Sequence, residues 1–254
     1  MTHPNAQAPS GQVAAIVVAT WPDGGAIASD LLWRSVLGRP LIAWPLRALT
    51  QLGAIDFCAV ITPIGGEPQR YADVKQLVDE MKPAREYGVS AVGTESMRFA
   101  LANLLYYLQH SPSSWASSNE HQIIVIDATL PLVTSASLHA GLEAARRTGV
   151  AIAGEPVKET LKRVDGQRVA ETLPREQLRR LCSPAVFSSP ATLEYALEAH
   201  SWRAVDDLVS VIQAAGLPIT VFDVDYPCVR VTSEDDLAIV ESLLRQRESE
   251  SSSL

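Results

Sequence analysis

The residues best placed to do chemistry lie in three loops. The first is "ATWPDGGAIASDLLWR", residues 19–34, which follows the apolar run "VAAIVVA" and leads into "LGRPLIAW". A strand, a glycine-bearing loop and a helix in that order normally hold the phosphates of a nucleotide through backbone N–H groups. Gly24 and Gly25 are the residues able to form such a nest, although a Gly-Gly pair equally makes a plain turn. Between Ala19 and Trp33 there is no lysine or arginine, and Asp23 and Asp30 add charge that repels a triphosphate. Trp21 and Trp33 flank the loop and are expected to pack over it. The second loop begins at Asp127, the last residue of the apolar run "QIIVID". A carboxylate there suits a hard divalent cation, and an aspartate ending a strand also suits a turn. The third loop is the return from a polar segment, residues 156–190.

These loops are positioned by short apolar runs alternating with helical patterns. "VAAIVVA" (13–19), "DFCAVIT" (56–62), "QIIVID" (122–127) and "GVAIAG" (149–154) are apolar on both faces, as strands of a parallel sheet covered on both sides must be. Residues 40–52, 95–108 and 135–147 carry helical periodicity, and "TSEDDLAIVESLL" opens with a capping-box pattern and acids in its first turn. The alternation predicts an α/β fold, a doubly wound, mostly parallel Rossmann-like sheet, in which ligands bind beyond the carboxyl ends of the strands. "PVKETLKRVDGQRVAETLPREQL" breaks the alternation around a "DG" turn and predicts a projecting β-hairpin arm. Residues 12–245 are expected to form one domain with that arm, between disordered tails at 1–11 and 246–254.

The chain has 254 residues, 47% of them hydrophobic and 20% charged, with a formal net charge of −8. That balance argues against a nucleic-acid groove, which needs a cationic stripe. No apolar run approaches the length of a membrane span, and a cytoplasmic protein is expected. The three cysteines, Cys58, Cys182 and Cys228, lie far apart with no metal-type spacing, so neither a disulfide framework nor a zinc site is expected.

Seven landmarks in order carry a resemblance over residues 13–245: "LGRPLIAWPLRAL", "VIDATLPLV", "PVKETLKRV", "ETLPREQL", "SPAVF", "VDDLVSVIQAAGLPITVFDVD" and "VRVTSEDDLAIVESLL". Together they resemble the methylerythritol-phosphate cytidylyltransferases of isoprenoid synthesis and their siblings, the ribitol-phosphate cytidylyltransferases. The resemblance implies a homodimer that moves CMP from CTP to a polyol phosphate with Mg²⁺, releasing pyrophosphate, its arm crossing to the partner subunit. It implies that Asp127 faces the metal and the α-phosphate, and that Arg230, in place of the family's lysine, is catalytic with it. Thr160, Lys162 and Arg175 match contacts to the polyol phosphate, which hydroxyls and a fork-shaped guanidinium hold well, and Asp206 matches a further substrate-side aspartate.

Other positions depart from the family. Where it places the loop lysine this chain has Leu32, and its loop arginine falls where Gly24, Gly25 and Ala26 stand. Leu130 replaces a second arginine, and Ser96 and Phe99 replace the residues facing the base and ribose. Losing one preorganised donor typically costs about 10²- to 10³-fold in rate. Two readings follow: a working cytidylyltransferase with an atypical loop, or a catalytically inactive member kept as a binding or regulatory partner.

Overall fold

The computed structural model describes residues 13–19, 30–63, 68–92, 101–102, 105–106, 121–198 and 208–251. Gly24, Gly25, Asp206, Trp21, Ser96, Phe99 and the N-terminal tail lie outside the described residues.

Strands β1 (Val13–Val18) and β6 (Gln122–Asp127) are buried at every residue, as their unbroken apolar sequence requires. They pair in parallel at the centre of a seven-stranded sheet. Beyond β1 lie β4 (Phe57–Pro63) and β5 (Glu86–Val92), both parallel to it. On the other side β6 is followed by β10 (Arg179–Phe187), β7 (Val150–Pro156) and β11 (Thr220–Asp223), giving the order β11-β7-β10-β6-β1-β4-β5. Only β10 runs against its neighbours. The doubly wound, mostly parallel sheet expected from the alternation is therefore present.

Side chains of successive residues in β1 enter opposite cores. Val13, Ala15 and Val17 join a cluster with α1 (Ala43–Leu52), α2 (Pro68–Met81), α3 (Ser135–Thr148) and α6 (Glu234–Ser251). Ala14, Ile16 and Val18 join a second cluster with α4 (Pro190–Glu198), α5 (Leu208–Ala214) and the helical residues Leu101 and Leu105. This period-two division lets one strand hold helices on both faces of the sheet.

Three expectations need correction. The first helix starts at Ala43, not at Pro40, because Ser35–Val36 (β2) and Arg39–Pro40 (β3) form a small hairpin. Leu37 and Gly38 turn it with φ of 51° and 77°, the pair of positive values that a two-residue hairpin turn demands. Residues 246–251, expected to be part of a disordered tail, continue α6. Gln246 bonds Glu250 at 2.9 Å, Arg47 pairs with Glu248 at 2.7 Å, and Arg247 donates to the Leu132 carbonyl at 3.0 Å, so polar pairs hold a turn that composition alone marks as loose. Finally, Cys182 and Cys228 form a disulfide, with their Cα atoms 5.6 Å apart at a sequence separation of 46. Both β10, which carries Cys182, and β11, which precedes Cys228, flank β7, and that shared neighbour brings the cysteines together. Closing a loop over a separation of 46 residues constrains the unfolded chain by about 4 kcal/mol on the chain-entropy account.

The arm leaves the sheet after β7. Its hairpin pairs β8 (Lys162–Asp165) with β9 (Arg168–Thr172) around Gly166, and a single 3-10 turn at Arg175–Gln177 leads back into β10.

Where α3 crosses the sheet, only glycine fits. A Cβ on Gly141 would lie 2.9 Å from Phe222 Cζ and 2.9 Å from Val186 Cγ2. Gly141→Ala is expected to destabilise by about 1–3 kcal/mol through overpacking, less the roughly 1 kcal/mol that alanine gains inside a helix. A lower urea midpoint at unchanged m-value is the expected observation.

Candidate functional site

Asp127 ends β6 and is 7% exposed. An isolated carboxylate so placed is costly, and it persists only if its oxygens are matched. Thr129 serves Oδ1 twice, through its backbone N–H at 2.8 Å and its hydroxyl at 2.7 Å. Arg230 pairs with Oδ2 through its NH1 group, which also donates to Thr129 Oγ1 at 3.2 Å. The Thr129 carbonyl accepts the N–H of Val231 at 2.8 Å. Sequence positions about a hundred residues apart thus close into one hydrogen-bonded set at the carboxyl end of the central strands. The Arg230 side chain is 46% exposed, so the pair faces solvent on one side.

The loop that carries Arg230 follows β11 and is fastened along its length. Tyr226 is buried and hydrogen-bonds Ser137 of α3, and burial pushes its phenol well above the ordinary tyrosine value. Ser137 in turn completes a capping box with Thr134 at the start of α3. The Cys182–Cys228 disulfide ties the loop to β10. Past Arg230, the carboxylate of Asp236 accepts the backbone N–H groups of Thr232 and Ser233, each at 2.9 Å, and both of their hydroxyls at 3.0 Å. These donors, with the Thr232 N–H foremost, hold the Asp236 carboxyl below its usual range.

The arm residues occupy a different region. Thr160, Lys162 and Arg175 are all exposed. Lys162 Nζ donates to Thr172 Oγ1 at 2.5 Å across the hairpin, and Arg175 donates to the Lys158 carbonyl at 3.1 Å, bracing the arm where it leaves the sheet. Asp127 and Arg230, both anticipated from sequence, are joined directly; the arm trio shares an element without being part of that set.

Leu32 lies in the hydrophobic core and Leu130 is buried. Trp33 packs partly buried against the same core. Arg34 makes two hydrogen bonds to Glu234 at the start of α6, and Arg39 sits in the β2–β3 hairpin. Thr129 is the residue that sequence reasoning missed. Its signal was the spacing of "DAT", in which a hydroxyl two residues after an aspartate can bond back to that carboxylate.

A doubly wound sheet of this order, with a charged pair beyond its carboxyl edge and a hairpin arm beside it, defines a Rossmann-like protein of the nucleotidyltransferase class. More narrowly, the chain belongs to the 2-C-methyl-D-erythritol 4-phosphate cytidylyltransferase family, whose model matches residues 13–246. Relatives bearing that name include one from Halalkalibacterium halodurans, 26% identical and covering 83% of this chain and 87% of its own, and one from Synechococcus elongatus, 29% identical with 84% and 87% covered. The crystal structure of the Thermus thermophilus 2-C-methyl-D-erythritol 4-phosphate cytidylyltransferase superposes with a TM-score of 0.63 at 26% identity, over 91% of this chain and 98% of that one. A 4-diphosphocytidyl-2C-methyl-D-erythritol synthase from Anaerococcus prevotii shares the fold at a TM-score of 0.72 and 16% identity, covering 92% and 99%. Among the described residues, no helix is long and apolar enough to cross a membrane.

The Asp236 contacts carry a pH signature. A carboxyl lowered in the folded state stabilises above its unfolded value, near 3.8, and that contribution is lost as pH falls through the folded value. Asp236→Ala is expected to cost about 1 kcal/mol near neutral pH, as loss of a cap does. Urea melts of the two proteins should converge once pH drops below the folded value, and a gap that persisted there would assign the loss to packing.

Proposed function

We propose that the protein transfers CMP from CTP to 2-C-methyl-D-erythritol 4-phosphate, releasing pyrophosphate. The observation that carries this reading is the Asp127–Thr129–Arg230 set beyond the carboxyl edge of the sheet, in a chain that matches the family over residues 13–246. An oxygen of the acceptor phosphate attacks the α-phosphorus of CTP, and the bond to the β-phosphate oxygen breaks. Such transfer depends on placing reactants and neutralising negative charge. The Arg230 guanidinium is 46% exposed and would meet an α-phosphate oxygen from its solvent side. Thr160, Lys162 and Arg175 would hold the acceptor phosphate, Asp206 would contribute on the substrate side, and the N–H groups at Gly24 and Gly25 would meet the triphosphate.

A magnesium ion fits this donor set in one way. Among the described residues no group of three or more His, Cys, Asp or Glu could hold a metal ion, and Asp127 offers a single carboxylate. Magnesium is commonly bound by one or two carboxylates with substrate phosphates and water, so Asp127 would hold it together with the nucleotide. The ion would neutralise charge on the α-phosphate and the departing pyrophosphate. The reading includes a homodimer formed through the arm, supported by Val164 and Val169, which face each other across the hairpin and are each 57% exposed.

The burial of Leu32 and Leu130, where the family carries cations, favours a second reading in which the chain binds a polyol phosphate without transferring a nucleotide. Pyrophosphate release with CTP, Mg²⁺ and methylerythritol phosphate separates the two. Transfer predicts release that Asp127→Ala lowers by about 10²-fold or more; binding alone predicts no release above background, with calorimetric binding of the acceptor intact. In an active enzyme, Thr129→Val should lower kcat by about tenfold while leaving KM for the acceptor within about twofold, because misplacing Asp127 and Arg230 affects the transition state more than remote binding. Thr129→Ser, which keeps the hydroxyl, should restore most of the rate.

A further inference from the structure

Cys182 and Cys228 are 8% and 6% exposed and lie in a small apolar cluster of their own with Ala153, against Phe222 and Val224. Their disulfide closes a loop that contains the rest of β10 after Cys182, α4, α5 and β11, and it ends two residues before Arg230. Cys182 falls at the irregularity in β10, where the pairing with β7 shifts register between Leu181 and Ala185. There the strand has released its regular backbone ladder and the cross-link holds it to the Arg230 loop.

We propose that this disulfide is a thiol–disulfide exchange site whose redox state sets the order of the Arg230 loop, and through it the Asp127–Arg230 contact. Further fastenings of the loop go to α3, β6, β7 and α6; the disulfide ties it to the strand that returns from the arm. Reduction by a dithiol proceeds by attack of one thiolate on Sγ of either cysteine, giving a mixed disulfide and freeing the other sulfur. The second thiolate of the reductant then displaces the remaining cysteine. Two cysteine thiols form, the dithiol leaves as a disulfide, and two electrons and two protons pass to the protein. An oxidised dithiol reverses each step. Because both sulfurs are buried, exchange waits on local opening of the loop. Cys58 does not compete: it is fully buried and its thiol is pushed up to about 12 by desolvation.

Purified protein equilibrated with oxidised dithiothreitol, then denatured and alkylated, is expected to show one free thiol, Cys58, and three after treatment with reduced dithiothreitol. Trypsin reports loop order independently of turnover. Cleavage after Arg230 should be about tenfold faster in the reduced protein, since cleavage follows the population of the open form. The Cys182→Ser/Cys228→Ser variant should match the reduced rate under both conditions. Pyrophosphate release, which rests on the proposed cytidylyl transfer, should fall about tenfold on reduction. Three free thiols after oxidised dithiothreitol, or a cross-link whose reduction leaves the tryptic rate unchanged, would overturn the inference. A tryptic rate that responds to redox in a protein releasing no pyrophosphate would uphold it and remove the catalytic reading alone.

Discussion

A carboxylate withdrawn from water at the end of a central strand must be matched, and the way Asp127 is matched organises this protein's site. One oxygen is held by Thr129 two residues on, which fixes the side chain within its own turn. The other is held by Arg230, which arrives from the far end of the chain. That second match is possible only because β6 lies inside the sheet and the loop after β11 folds back across its carboxyl edge. Removing Arg230 would take the opposite charge from the buried Asp127 carboxylate, a larger penalty than losing a contact between two exposed groups. The folding of the C-terminal third is therefore linked to the electrostatics of the strand end.

The two ends of the site differ in character. The arm offers exposed cations and hydroxyls braced by bonds within the hairpin. Elsewhere Leu32 and Leu130 are buried, and Arg34 is engaged with Glu234. Among the described residues, Arg230 beside Asp127 and the cations of the arm are exposed.

What the sequence disclosed, and what it withheld, follows from the range over which each signal acts. β1 and β6 were legible because both faces of each strand are apolar, a pattern written within six residues. Asp127 was legible from its position after such a strand. Arg230 was legible only through resemblance, since nothing local distinguishes it from any surface arginine. Thr129 carries a local signal in its bond back to Asp127, while its contact with Arg230, 101 residues away, is not written in the neighbouring sequence. The disulfide was missed for the same reason: Cys182 and Cys228 meet through their common neighbour β7, and spacing along the chain does not encode that. The last turns of α6 were misread because composition does not register side chains that reach back to Arg47 and Leu132.

The reversed direction of β10 carries a topological consequence. Because β7 runs out to the carboxyl edge and β10 starts back from that same edge, the arm is a detour whose two ends lie side by side, paired from Pro156 with Arg179 onward. Lengthening or shortening the hairpin between them shifts no strand register and displaces no core residue. Evolution can therefore vary the arm's reach and surface as a separate module, while the sheet beneath it, and the strand end bearing Asp127, stay under their own packing constraints.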